Sequence, residues 1–261
     1  VAAEAHLQAA YEAGGGTVPG GPSVAAAVRH LQAARRASPI ATRAHARLGL
    51  LAGQFVGEPA RVHFDRAKRL WPADPEVFYA AGREALGRGD TAAALADWQR
   101  SLAGSPARLG DILKAVKGVP ADELRRELVP DLAAAQVIAA DALFPDRLRQ
   151  ADDRRPFLVD AVRLAEANDG PTAADWAAAA KAADELRRPD AADSCWQRAA
   201  AAAPKDVAIR DGYARWLERE ERWEAAVEQL RELQKLAGVA SVQDRIEGCY
   251  HALKLKRLIG D

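Results

Sequence analysis

The sequence has no methionine and only two cysteines, Cys195 and Cys249, in 261 residues. Two cysteines cannot staple a chain of this length, and no His/Cys cluster has metal-ligand spacing. The histidines are His6, His30, His45, His63 and His251; none pairs with another at i, i+4, and no HExxH occurs, so zinc and other metal cofactors are not expected. No serine sits in a GxSxG setting, and no other catalytic constellation is present, so no enzymatic activity is expected. No apolar run approaches the ~18 residues that a membrane helix requires. Charge of either sign in excess is also missing: 37 Lys+Arg balance 37 Asp+Glu. That argues against a chain held to nucleic acid or anionic lipid by bulk charge. The helix-like start VAAEAHLQAAYEAG, without Met at position 1, reads as a fragment, a processed product or an excised domain. No charged start followed by an apolar stretch marks a signal peptide.

What is abundant is alanine, 62 residues, within an apolar share of 49%. Alanine is the best helix former and a poor strand former, so the expectation is an all-α chain. A phrase recurs along it: a small residue, a large apolar residue four positions on, and a proline eight further. It occurs as Ala27/Leu31/Pro39, Ala60/Phe64/Pro72, Ala94/Trp98/Pro106 and Ala192/Trp196/Pro204, with Ala226/Leu230 lacking the proline. Phe64 to Trp98 is 34 residues, and so is Trp196 to Leu230. The small residue lets two helices approach, the large one fills the space a turn later on the same face, and proline stops the helix. Trp98 and Trp196 are therefore expected in the core. Gly82 costs about 1 kcal/mol against alanine in a helix, so close packing is the reason expected for it.

On these residues the chain resembles the tetratricopeptide repeat (TPR) family of 34-residue helix-turn-helix units. Residues 75–108 match almost throughout, with Phe78, Ala81-Gly82, the Gly89-Asp90 turn, Ala94, Trp98 and Pro106. Residues 41–74 match mainly in the second helix; 173–206 match through Trp176, Ala180, Ala192, Trp196, Ala199 and Pro204; 207–240 match through Tyr213, Ala214, Trp223 and Ala226. The resemblance implies a right-handed superhelix of antiparallel helix pairs, an α-solenoid. Its expected layout is a helix pair with a Gly/Pro-rich turn over 1–40, two units over 41–108, degenerate pairs over 109–170, two units over 173–240 and a capping helix over 241–261. A hinge between two blocks near 145–155 is the alternative for the middle, where Asp152-Asp153-Arg154-Arg155 reads as a solvated loop. In the cap, Val242, Ile246, Cys249, Tyr250 and Leu253 share one face. Gly15 and Gly20 have P-loop spacing, but Gly21-Pro22 stand where Lys and Ser/Thr belong, which leaves a flexible connector.

The resemblance also implies a function: a scaffold that binds a protein or peptide segment, not nucleic acid, in the concave groove lined by first helices. Groove positions carried over residue by residue give Glu76, Tyr79, Arg83 and Leu86; Ala174, Ala177, Lys181 and Asp184; Ala208, Asp211, Arg215 and Glu218; and Thr42 and His45. Arg83, Lys181 and Arg215 recur at one position, and a row of cations beside Tyr79 suits an acidic ligand. Asp211 and Arg215 are also spaced to pair with each other along a helix. The run from Ala44 to Pro106 is further similar to the TPR tails of bacterial O-antigen-ligase-type membrane proteins. That reading makes the chain a domain of a polysaccharide polymerase or ligase. The compartment is then extracytoplasmic rather than cytoplasmic.

Overall fold

The computed structural model describes residues 22–55, 57–104, 106–116, 118–168, 170–237 and 240–259. The predicted first helix at 1–14 lies outside these residues, as does the predicted connector at 15–23 except for Pro22 and Ser23, which fall within a helix instead. Among them are helices and two 3-10 turns, without strands. The chain divides into two compact units, residues 1–130 and 131–261. The division falls at Pro130–Asp131, ahead of the 145–155 stretch proposed for a hinge.

In the first unit the helices are α1 (Pro22–Ala37), α2 (Thr42–Leu51), α3 (Ala60–Leu70), α4 (Pro75–Gly87), α5 (Thr91–Gly104), α6 (Leu109–Ala115) and α7 (Ala121–Glu127). In the second they are α8 (Ala133–Leu143), α9 (Ala151–Ala167), α10 (Ala173–Glu185), α11 (Pro189–Ala202), α12 (Val207–Arg219), α13 (Trp223–Ala237) and α14 (Ala240–Ile259). Within each unit helices pair with their chain neighbours: α2 with α3 and α4 with α5, then α8 with α9, α10 with α11, and α12 with α13. First helices of successive pairs also touch, α2 with α4, α8 with α10, and α10 with α12. Pairing combined with first-helix stacking is the arrangement of a helical-repeat solenoid.

The recurring phrase is the core of each pair. Trp98 is 0% and Phe64 2% exposed, and Ala94 is fully buried; Ala60, the small residue paired with Phe64 in the phrase, is only half-buried, and Ala67 is the buried alanine of that helix. A Cβ on Gly82 would lie 2.5 Å from the Trp98 indole nitrogen, so the glycine is what lets α4 and α5 approach. Trp98 then donates to the Tyr79 carbonyl at 3.2 Å, and Ser101 to the Pro75 carbonyl at 2.8 Å. The start of α4 thus meets the end of α5, which makes the pair antiparallel. In the second unit Trp196, Tyr213 and Trp216 form a stacked row with centroids 6.1 and 6.2 Å apart.

Three pairs turn the same corner. Gly89, Arg187 and Glu221 have φ of 81°, 59° and 55°, and each is the fifteenth residue of its 34-residue unit. The following amide reaches back five residues each time: Asp90 to Ala85, Arg188 to Ala183 and Arg222 to Leu217, all at 2.9 Å. This is the Schellman closure, which satisfies carbonyls left free at a helix end. Helix starts are capped by Asp74 on the Glu76 amide, Asp206 on the Ala208 and Ile209 amides, and a reciprocal Thr172–Asp175 box. Asp175, 6% exposed, also accepts from the Ala134 amide at 3.1 Å and so caps α8.

Two expectations need correction here. The quartet 152–155 is not a loop but lies in the first two turns of α9, which runs on through Pro156. Arg154 is fully buried. It donates to the Ala140 and Phe144 carbonyls at 2.9 and 2.6 Å and to the carboxylates of Asp141 and Glu185. Burial alone would lower its pKa; the Glu185 and Asp141 hydrogen bonds reverse this and raise it. On α14, Val242, Ile246 and Cys249 are buried as expected, but Tyr250 is 45% exposed, its hydroxyl accepting from Arg231. Cys195 and Cys249 are both buried free thiols, each with its pKa raised by burial.

Candidate functional site

In the first unit the candidate residues converge on α4. Pro75 opens this helix behind the Asp74 cap, and Val77, Phe78, Ala81, Gly82 and Ala85 are drawn into the core. Glu76, Tyr79 and Arg83, at i, i+3 and i+7, are left on the other face. Beside them runs α6, anchored by buried Leu109, Ile112 and Leu113 while Asp111 and Lys114 stay exposed. A cavity of about 290 Å³ lies here, lined by Tyr79, Arg83, Trp98, Asp111, Ile112, Lys114 and Ala115.

Its charges fall into two sets. Arg108 donates to both Glu76 carboxylate oxygens, at 3.1 and 3.2 Å, and lies 5.0 Å from the Tyr79 ring centroid in a cation–π contact. The Glu76 hydrogen bonds raise the Arg108 pKa. Arg108 also lies 3.8 Å from Asp111. Glu76 and one face of Tyr79 are therefore taken. Arg83 and Lys114 are exposed, and neither meets a carboxylate among the described residues. Asp111 and Lys114 belong to the stretch where the repeat pattern lapses, Arg108 is the last residue of the unit before it, and no sequence signal marked them.

In the second unit the equivalent positions are largely consumed. Arg215 pairs with Asp211 at 3.0 Å, the helical pairing that its spacing allowed. Arg245 of α14 reaches Asp211 at 2.6 Å and Glu218 at 2.7 Å. Asp184 accepts from Arg219 at 2.6 Å and from the Trp216 indole at 3.2 Å. Ala177 is buried. Lys181 alone is exposed with no carboxylate partner among the described residues.

His45 requires a correction. It is 3% exposed, and its Nε2 lies 3.1 Å from the Pro39 carbonyl, so it does not face an open groove. The first helix of this pair tucks in the face that carries His45 together with Ala44 and Leu48. Among the described residues no group of three His, Cys, Asp or Glu side chains can hold a metal ion, and no helix is long and apolar enough to cross a membrane.

No protein-family model and no curated protein matches the chain. Solved structures do. Yeast Tom70 is similar at 16% identity and TM-score 0.44, over 91% of this chain and 52% of that one. TTC0263, a TPR protein of Thermus thermophilus, is similar at 21% identity and TM-score 0.40, over 80% and 99%. The TPR2AB domain of yeast Sti1, solved as a complex with pHSP90, is similar at 17% identity and TM-score 0.34, over 96% of each chain. The chain thus spans about half the length of Tom70. None of these likenesses supports the narrower resemblance to O-antigen-ligase tails.

Proposed function

We propose that the chain is a protein-interaction scaffold, and that the α4–α6 face of its first unit receives an acidic peptide segment. The observation that carries this reading is the cavity where Arg83 and Lys114 pair with no carboxylate among the described residues, Asp111 lying 3.8 Å from Arg108, beside apolar Ile112, Ala115 and Trp98. At about 290 Å³ it sits at the small end of ligand pockets. That volume suits one or two side chains of a longer segment better than a whole cofactor. Stacked helix pairs present extended surfaces of the kind that take such segments. The cations would receive a carboxylate, and the Ile112–Trp98 floor an adjacent apolar side chain.

The test is fluorescence polarisation of the full chain against a panel of labelled acidic peptides and their charge-scrambled counterparts. Tight binding of an acidic member, weakened at least tenfold by the double reversal Arg83→Glu/Lys114→Glu and by added salt, is the expected result. Equal binding by the variant would move recognition away from this cavity. A parallel reversal of Lys181 and Arg215 separates the two units; it should weaken binding less.

A further inference from the structure

A second cluster lies in the first unit, apart from that cavity. His63, on α3, is 2% exposed, and neither ring nitrogen has a hydrogen-bond partner among the described residues. His45, on α2, has its ring centroid 6.2 Å away and its Nδ1 likewise without a partner. The Phe55 ring closes another side, 6.5 Å from His63. Buried polar atoms with no partner are rare and call for an explanation.

The explanation sits beside them. Glu58, in the loop before α3, accepts from Arg66 of α3 at 2.6 and 2.8 Å and from Arg35 of α1 at 2.6 Å. One carboxylate therefore ties α1 to α3. Its Oε2 takes both the Arg35 Nη1 and the Arg66 Nη1, and His63 Nε2 waits 4.0 Å from that same oxygen. A neutral His63 leaves the tie undisturbed. A protonated one adds a third cation to an oxygen that already serves two.

We propose that His63 is a proton-operated release for α1: its protonation competes for Glu58 and loosens the Arg35–Glu58 tie. Loosening would uncover the apolar cluster that α1 forms with α2, namely Val24, Val28 and Leu31 against Ala44, Leu48 and Leu51. Burial is the main influence on His63 and lowers its pKa. Of the titratable and charged groups that face it, Glu58 opposes this, while Arg35 on α1, His45 on α2 and Arg66 on α3 reinforce it. The Arg66 and Arg35 hydrogen bonds hold Glu58 down at about 2, so it stays charged throughout. A histidine whose pKa falls on folding leaves stability intact above its free value of 6.5. As pH drops below that, the opened state binds the proton first. The open-to-closed ratio then rises by up to tenfold per pH unit until the folded-state pKa is reached.

Hydrogen–deuterium exchange on the full chain at pH 7.5 and 5.5, corrected for intrinsic rates, tests this. Peptides within 22–37 should open severalfold more at pH 5.5, while peptides from α12 and α13 should not change. His63→Leu should abolish the acid effect, and Arg35→Met should open α1 at both pH values. Acid opening that persists in His63→Leu, or is absent from the wild type, overturns the proposal. Should His63→Leu fail to fold, an NMR titration of the wild-type imidazoles decides: α1 amide shifts must follow the His63 midpoint, and a different midpoint refutes the release.

Discussion

On α4 and α6 of the first unit, Arg83 and Lys114 line a cavity and pair with no carboxylate among the described residues, Asp111 in the same lining being turned to Arg108. On α12 of the second unit, Arg215 stands at the position matching Arg83 but is paired with Asp211, while Arg245 closes on Asp211 and Glu218. Among the described residues the same repeat position thus holds an unpaired cation at Arg83 and Lys181 and a paired one at Arg215. The difference begins on the helix itself: Tyr79 and Ala177 stand four positions before Arg83 and Lys181, where Asp211 stands before Arg215. The following helices differ as well: α6 brings Lys114 and Asp111, and α14 brings Arg245 between two acids. Repeat position alone does not make a cation available; the residue one turn earlier decides.

The largest effects should come from the paired tryptophans. Trp98→Ala and Trp196→Ala should each cost ~3–5 kcal/mol, read by chemical denaturation. An unchanged midpoint for either would remove it from the core. Replacement by Phe separates the units more finely. Trp98 loses a hydrogen bond to the Tyr79 carbonyl, whereas the Trp196 indole nitrogen has no partner to lose among the described residues. Trp98→Phe should therefore be the more costly by about 1 kcal/mol.

Arg154→Ala comes next within the second unit. It strands two carbonyls and two carboxylates at a fully buried site, so a loss of ~3–5 kcal/mol is expected. Arg154→Met, which fills the space without the charge, should recover only part of that, because its partners stay unpaired. Gly82→Ala should cost ~1–3 kcal/mol, since its methyl meets the Trp98 ring with no free space. The smallest effect is a gain. Arg187→Gly and Glu221→Gly relieve left-handed backbone at corners where the first unit already uses Gly89, and each should add up to about 1 kcal/mol. A loss at both would mean that these side chains do more than occupy a turn.

Much of the architecture was readable because the periodic phrase and the core are the same residues. Within 109–170, where the repeat is degenerate, helices run over Ala121–Glu127, Ala133–Leu143 and Ala151–Ala167. What escaped were interactions between distant residues. Arg154 looks solvated in a charged quartet because its carboxylate partners lie 13 and 31 positions away. Repeat position puts His45 on an open face, but the His63 ring of its own pair and the Pro39 carbonyl from before the unit enclose it. Arg187 and Glu221 adopt a conformation that only glycine advertises. In the candidate site, Glu76, Tyr79 and Arg83 follow from the repeat, while Arg108 closes the unit at a position the groove pattern does not mark, and Asp111 and Lys114 come from a segment without a repeat.

The buried arginine also sets an order of events. Its carboxylate partner Glu185 leaves the ribosome 31 residues after Arg154. Until then a helix hairpin of α8 and α9 would have to bury a guanidinium with Asp141 as its only counter-charge, which is unfavourable. Early closure of that hairpin is thereby expected to be disfavoured until α10 arrives. The three helices should appear together as one cooperative step, a folding unit whose boundary is drawn by a charge rather than by a loop.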